Sequence, residues 1–578
     1  MNYDKTPIIP VDGCENQGFS GYSTIMERIR QDMAGKTKVV VTLDCYHGVY
    51  DEEVLPAFIS GLSPVLVINM KELMKPQEEI FSMLKDNITD DRVFGIMYHG
   101  TIDKFIDLEK IEAAKKKVSE ITDGVVLLYG IGAACVSPGD ILVYADMSRW
   151  EIQQRFRRNE ISNWCADNYE EDPIRQIKRG FFIDWRVIDR HKKALFDRID
   201  YLLDTNHKNE PNMITGNAFR KGLSIAAHRP FRVVPYFDPG VWGGQWMKEV
   251  CGLDPTQKNF AWCFDGVPEE NSLLLQVDGV IAEIPSIDLV FRHPIELLGD
   301  KVHARFGTEF PIRFDFLDTM DGGNLSLQVH PLTEYIQDTF GMHYTQDESY
   351  YMLDAAPDAS VYLGVKKGVE PEALISALKE AQETGEFEAE KFINNFPAKK
   401  HDHFLIPAGT IHCSGRNGMV LEISATPYIF TFKLWDWGRL GLDGRPRPVH
   451  IDHGSRNIQY NRDTDWVTKN LINRVEEIGT GDGWREERTG LHEREFIETR
   501  RHWFTKTVHH NTNGGVNVLN LVEGSKVLVE SPSGAFPPFE VHYAETFIIP
   551  ASVGEYTISP CEDSNGEQLA TIKAYVRC

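Results

Sequence analysis

The chain has 578 residues and a formal net charge of −25, with 42% hydrophobic and 25% charged residues. That length holds roughly three to four domains of about 150 residues, and the composition is that of an ordinary globular protein. The acidic balance lacks the basic stripe that displaces counterions from nucleic acid and disfavours an anionic lipid surface, so a small anion is admitted only where Lys or Arg is placed locally.

Nine cysteines, an odd number with no CxxC pair, fit reduced thiols in a cytoplasm better than a disulfide framework. The opening MNYDKTPIIPVDG lacks the basic and apolar regions of a signal peptide, and no apolar run approaches the roughly 20 residues of a membrane span. The expectation is a cytoplasmic protein without nucleic-acid or membrane partners.

Gly35-Lys36-Thr37 imitates the end of a phosphate-binding loop, but the motif's first Gly is replaced by Arg30, and a strand follows where the motif needs a helix. From residue 38 to about 205, apolar strands alternate with helical stretches. Strands are predicted at Lys38–Leu43, Pro64–Asn69, Val93–Met97, Gly124–Tyr129 and Asp140–Tyr144, followed by a long charged helical stretch from about Arg149 to Asp204. Short, nearly all-apolar strands separated by helices predict a mostly parallel α/β sheet over residues 1–220.

The pattern changes near Arg220 to many short strands with turns such as Asp238-Pro239-Gly240, Asp321-Gly322-Gly323 and Arg416-Asn417-Gly418, which predicts a sandwich or barrel. A helical insertion is expected over 370–396. Phe404–Gly409 (FLIPAG) and Phe547–Ser552 (FIIPAS) form a weak internal repeat, predicting two related barrels over 221–475 and 476–578.

In NLSLQVHP (Asn324–Pro331), side chains alternate faces, so Ser326, Gln328 and His330 point one way. Glu348 opens a segment that reads as a neighbouring strand, and His412 follows the Pro-Ala-Gly turn of IPAGTIH. Two imidazoles, a carboxylate and an amide oxygen suit zinc, with manganese, iron, cobalt or nickel open. A lone strand His is ordinarily a hydrogen-bonded or surface residue, and spacing alone does not make three separated segments a metal site.

QVHP, an acidic residue opening a YYMLDA strand, and FLIPAGTIH together resemble the type I mannose-6-phosphate isomerases, a zinc-dependent cupin family. The resemblance runs from about Pro235 to the C-terminus. It includes Val241-Trp242-Gly243-Gly244, His293–Gly299, Phe310-Pro311, Tyr362–Lys366, Leu421–Ile423 and Gly444–Ile451. It implies an all-β double-barrel cupin (jelly-roll), one Zn2+ held by Gln328, His330, Glu348 and His412, and interconversion of mannose 6-phosphate and fructose 6-phosphate. Two family lysines are replaced, by Asp315 and Gln346; Arg313, on the strand face of Asp315, could substitute. The family's catalytic Arg is Lys433 and an Asp four residues before it is Ile429, with Arg439 nearby. Lys and Arg differ as phosphate ligands, so specificity for a 6-phosphate stays open.

Arg313 and Ser326 are therefore the candidate substrate contacts. Lys433 or Arg439 is the candidate cation for an enediolate formed as a proton moves between C1 and C2, with Glu348, a metal-bound water or a Lys as base. The alternatives are an isomerase or epimerase of another sugar, or a non-catalytic sugar-phosphate sensor with the α/β domain as output. That domain faintly resembles nucleoside-kinase-type domains through TLDCYHG (Thr42–Gly48) and VYADMSRWEIQQRFRRN (Val143–Asn159), in degenerate form without a phosphate-binding loop. Arg155, Arg157, Arg158 and Arg175 read either as a vestigial anion site or as a solvated helix face. The C-terminal barrel has Glu555 at the position of His412 and no Gln-x-His strand. His509 and His510 are set on opposite faces there, and this copy is expected to be metal-free and structural.

Overall fold

The computed structural model describes residues 3–564 and 566–577. The chain divides into an α/β unit, Ile8–Ala226 with Ser272–His293, and a β-rich unit, Met1–Pro7, Ala227–Asn271 and Pro294–Cys578.

The α/β unit is built on a seven-stranded sheet in the order Gly18–Ser20, Asn212–Thr215, Tyr201–Asp204, Ile141–Asp146, Lys38–Cys45, Gly124–Gly130, Leu66–Asn69. The last five strands pair in parallel. Their inner residues, such as Val41, Leu43, Leu127 and Val143, are fully buried, as expected of parallel strands covered on both faces.

Three expectations are corrected here. Val93–Met97 is not a strand: the Asn87 side chain donates to the carbonyls of Ile96 and Met97, at 3.1 and 3.3 Å, and Asn87 O accepts from Ile96 N at 2.8 Å. A side chain thus supplies the partners that a neighbouring strand would. The long helical stretch is broken into Arg149–Arg157 and a second helix from Pro173 to Leu195 that passes through a π turn at Gly180–Asp184, and Tyr201–Asp204 is a strand. Asn159 and Cys165, at φ 56° and 55°, turn the chain out of right-handed helix between the two. Residues 272–293, read from sequence with the barrel half, belong to the α/β unit. Ser272–Val277 there pairs in parallel with Ile8–Pro10 and antiparallel with Val280–Pro285.

The β-rich unit holds two two-sheet sandwiches that repeat one strand order. The larger sheet of the first runs His403–Ile406, Glu348–Ala355, Gly418–Ala425, Ile312–Asp318, Trp262–Gly266, Tyr236–Asp238. That of the second runs Thr546–Ile549, Asn517–Glu523, Leu569–Val576, Ile497–Phe504, Trp484–Arg488, Glu476–Gly481, the same path through the chain. Register agrees as well: Glu348 faces Ile406, before Pro407, and Asn517 faces Ile549, before Pro550. Of the insertion expected over 370–396, Pro371–Thr384 and Ala389–Phe392 are helical, and Ile393–Pro397 is a strand. The first helix buries Leu374, Leu378 and Ala381, spacings of four and three that form one apolar stripe.

His403 is fully buried between Tyr351 and Arg501, and neither ring nitrogen has a hydrogen-bond partner among the described residues. Burial, then the charge of Arg501, pushes its pKa down to about 3 from 6.5. An unfolded chain binds this proton first, so stability is full above pH 6.5 and falls as pH drops from there toward 3, at up to ~1.4 kcal/mol per pH unit. Denaturant unfolding of wild type and His403→Gln should therefore converge in stability on going from pH 7 to pH 5. A constant difference between the two would sink the assignment.

Candidate metal centre

Where the two sheets of the first sandwich face each other, three segments bring their polar groups together. Gln328 lies in the strand Leu327–Val329, directly opposite His412, the first residue of the strand His412–Ser414. Glu348 opens the strand Glu348–Ala355 of the other sheet. His330 is tied to the Pro-Ala-Gly turn, because Gly409 N donates to its carbonyl at 3.0 Å. That turn needs glycine: φ is +87° at Gly409, and a Cβ there would meet Asn457 O at 2.8 Å. Arg462 braces it from behind, donating to Pro407 O, Ala408 O and Thr410 Oγ1.

The hydrogen bonds fix what the histidines present. His330 Nδ1 is 3.1 Å from Phe430 O and His412 Nδ1 is 2.9 Å from Thr410 O. A carbonyl only accepts, so each Nδ1 carries a proton and each Nε2 turns a lone pair inward. The two Nε2 atoms lie 3.1 and 2.7 Å from opposite oxygens of the Glu348 carboxylate. The Gln328 amide nitrogen is 3.2 Å from His412 Nε2, and turning the amide over puts its oxygen there as a fourth donor. One donor atom from each of His330, Glu348 and His412 lies within 4.8 Å of the others, and all three residues are buried. Lone pairs and a carboxylate aimed at one point in a dry interior repel one another until a cation stands among them, and imidazole with oxygen donors fits Zn2+.

Arg313 lies two strands over from Glu348, across Gly418–Ala425. Its Nη1 donates to Glu422 Oε1 at 2.9 Å and its Nη2 to Asp315 Oδ2 at 3.0 Å, all three residues being buried. Burial raises Asp315 to about 7 against the pull of Arg313, and burial also pushes Glu422 up. Gln346 Nε2 spans Glu348 Oε2 and Glu422 Oε1, at 3.1 and 3.2 Å. Glu422 and Tyr350 were not singled out from sequence, though a carboxylate inside MVLEISA was the available signal.

Ser326 Oγ donates to Asp436 Oδ1 at 2.7 Å, and Arg447 Nη1 lies 3.0 Å from Ser326 Oγ. Arg439 donates to Asp436 Oδ1 at 2.6 Å and to Asn324 O at 2.7 Å. Lys433, half-buried, pairs across strands with Gln328 and so shares its face. Asp436 and Arg447, which join Ser326 to Arg439, were missed.

In the second sandwich the sequence match of Glu555 to His412 is corrected. Glu555 is exposed, and strand alternation turns the next residue, Tyr556, inward. Tyr556 Oη donates to Asn517 Oδ1 at 3.0 Å, and Asn517 holds the register position of Glu348. His510 stacks on Tyr556, and His509 is exposed on the other face.

The α/β unit has a cavity of about 440 Å³ at the carboxyl ends of its parallel strands, bounded by Cys45–Glu52, Asn69–Lys71, Tyr129–Ile131 and Glu160–Asp167. The helix opening on it, Asp51–Leu62, begins with Asp51, Glu52 and Glu53, which repel a phosphate from its N-terminus. The four arginines of the suspected anion site are each held by the protein, and Arg155 and Arg158 share Glu151 Oε1. Arg155 is buried on Gly48 O, Thr205 O and Asn206 O, Arg158 pairs with Glu151 and Glu160, Arg157 lies over Trp150, and Arg175 reaches Asp90 O. Among the described residues no helix is long and apolar enough to cross a membrane.

Residues 21–228 match a family model described as a domain of unknown function, DUF8485. The chain is similar to mannose-6-phosphate isomerase of Streptococcus mutans, 27% identical over 214 residues, 37% of this chain and 62% of the relative. It is similar to mannose-6-phosphate isomerase ManA of Bacillus subtilis, 25% identical over 222 residues, 38% and 65% of the two chains. It thus spans less than two thirds of the length of these relatives. A solved mannose 6-phosphate isomerase from Bacillus subtilis aligns with a TM-score of 0.49 at 17% identity, over 60% of this chain and all of that one.

Purified protein should hold about one divalent ion per chain. Loss of an outer-shell partner weakens metal binding ~10–100-fold, so His330→Ala and His412→Ala should exceed that. Elemental analysis showing full occupancy in both variants after dialysis against a mild chelator would refute the centre. Calorimetry should find Mg-ATP binding weaker than about 1 mM, or about 4 kcal/mol, and micromolar binding would contradict the reading of the acidic helix start.

Proposed function

We propose that the β-rich unit is a double cupin whose first sandwich holds one Zn2+ on Gln328, His330, Glu348 and His412 and acts as an aldose–ketose isomerase of the mannose-6-phosphate isomerase type. The observation that carries this reading is the convergence of two Nε2 lone pairs with a buried carboxylate, each imidazole locked by a backbone carbonyl on its other nitrogen. The sequence similarity to mannose-6-phosphate isomerases supports the same chemistry.

Isomerisation moves a proton between C1 and C2 of an opened sugar through a cis-enediol. A divalent ion bound here would polarise the sugar's carbonyl and hydroxyl oxygens. The chain must supply a cation to the enediolate and a group that carries the proton. Lys433 is placed to be that cation, since it sits across from Gln328, on the same strand face, and is only half buried. Arg439, whose guanidinium is held by Asp436 and Asn324 O, is the other candidate. Ser326, joined to Asp436 and Arg447, would position the substrate beside the metal.

Solvent-deuterium incorporation at C2 of mannose or its 6-phosphate, followed by NMR on zinc-replete protein, tests the reading. Exchange is expected, and Lys433→Met should slow it by about 10²-fold or more with metal retained, the size of effect seen when one oxyanion donor is lost. No exchange with either sugar would overturn the isomerase assignment. Unchanged exchange in the variant would remove Lys433 from the mechanism.

A further inference from the structure

The wall of the first sandwich beside the metal centre is polar in a patterned way. Cross-strand register sets Asp315, Glu422 and Tyr350 in one row over three adjacent strands, and Arg313, Ser424 and Glu348 in the next. Directly opposed residues share a face, so this patch is continuous with the metal ligand Glu348. The Tyr350 ring lies edge-on to His412 at 5.7 Å, which places it against the centre.

Four atoms of this patch are buried and have no hydrogen-bond partner among the described residues: Arg313 Nε, Asp315 Oδ1, Gln346 Oε1 and Tyr350 Oη. Buried polar groups are ordinarily paired, and leaving one bare is costly. The chemistry of the four is mixed. Arg313 Nε and Tyr350 Oη donate, while Asp315 Oδ1 and Gln346 Oε1 accept. A phosphate dianion offers acceptors alone and would meet two carboxyls around a guanidinium whose charge they already compensate. Even with one carboxyl protonated, the patch has no positive charge to offer. A hydroxyl both donates and accepts, and several on one carbon chain can satisfy donors and acceptors together. At the rim, Arg439 and Arg447 share the single carboxylate of Asp436, and Asn324 O and Ser326 Oγ take further hydrogen bonds from them.

Resting on the isomerase reading above, we infer that this patch recognises the hydroxyls of an unphosphorylated sugar, and that the substrate is a free aldose–ketose pair. Asp315 and Glu422 are then specificity determinants: they hold Arg313 away from anions and present acceptors to hydroxyl groups.

Calorimetry on zinc-replete wild-type protein with mannitol and mannitol 1-phosphate, which cannot be isomerised, tests this apart from catalysis. Mannitol should bind at least about tenfold more tightly, a difference of about 1.4 kcal/mol. Equal or tighter binding of the phosphate ester would overturn the inference, and so would failure of mannitol to bind. The double variant Asp315→Asn/Glu422→Gln releases Arg313 and should improve phosphate-ester binding by about tenfold or more; a folded variant without that gain counts against the inference, and the wild-type comparison decides alone if the variant does not fold. Failure of the isomerase reading would register separately, as absence of C2 exchange with any sugar. Exchange favouring mannose 6-phosphate would keep the isomerase and discard the free-sugar substrate.

Discussion

Two imidazole lone pairs and a carboxylate aimed at one point inside a dry sandwich are the constraint from which the rest of the site follows. Such a cluster is repulsive without a cation, so the chain must hold it by force of backbone geometry. That accounts for the density of bracing around it: carbonyls of Phe430 and Thr410 on the outer nitrogens, Gly409 N on His330 O, and Arg462 clamping the Pro-Ala-Gly turn. Most of these braces come from a loop or strand end far in sequence from the ligand they fix, so the centre can form only once both sheets have closed.

The second sandwich shows what the same strand order becomes without that constraint. Its path and register repeat the first, but an aromatic ring fills the interior where the ligands converge. Tyr556 reaches Asn517 in the register position of Glu348, and His510 stacks on the ring. The second sandwich keeps the strand order and has a neutral Tyr556–Asn517 hydrogen bond at the register position of Glu348. Its core, with Leu519, Val527, Phe547 and Ile558 fully buried, joins both sheets. The same backbone serves once as a chemical centre and once as packing.

The ligands were legible in the sequence because each sits in a short local signal: Gln-Val-His-Pro on one strand, a glutamate opening another, and a Pro-Ala-Gly turn before His412. The polar wall was half legible. Asp315 and Gln346 stood out as replaced lysines, but Glu422, Tyr350 and Asp436 matter only through cross-strand register between segments up to about a hundred residues apart. Val93–Met97 looked like a strand because periodicity cannot show that Asn87 supplies its partners. Residues 272–293 read as part of the β half because their parallel partner, Ile8–Pro10, is a three-residue strand at the opposite end of the sequence. Glu555 was aligned one residue off the inward face, and a slip of one residue reverses a strand's faces.

The polar wall also bears on stability. Arg313, Asp315 and Glu422 replace what an apolar core would offer, and a buried ion cluster is commonly no more stable than well-packed hydrophobic residues of similar volume. The first sandwich has apolar neighbours enough to fill such a space, since Phe314, Phe316, Leu421 and Ile423 on the same strands are fully buried. A charged triad beside a repulsive metal centre, with donors and acceptors left bare, is therefore an expense that folding alone does not require. Its two carboxyls compensate the guanidinium and leave Arg313 Nε and Asp315 Oδ1 buried without a hydrogen-bond partner among the described residues. That arrangement fits a site where charge is balanced within the wall and recognition proceeds by hydroxyl groups. The departures from the lysine-bearing pattern are in this sense one linked change: with Asp315 in place of a lysine, Arg313 gains a partner, and with Gln346 in place of the other, Glu422 and Glu348 are bridged by an amide that adds no charge.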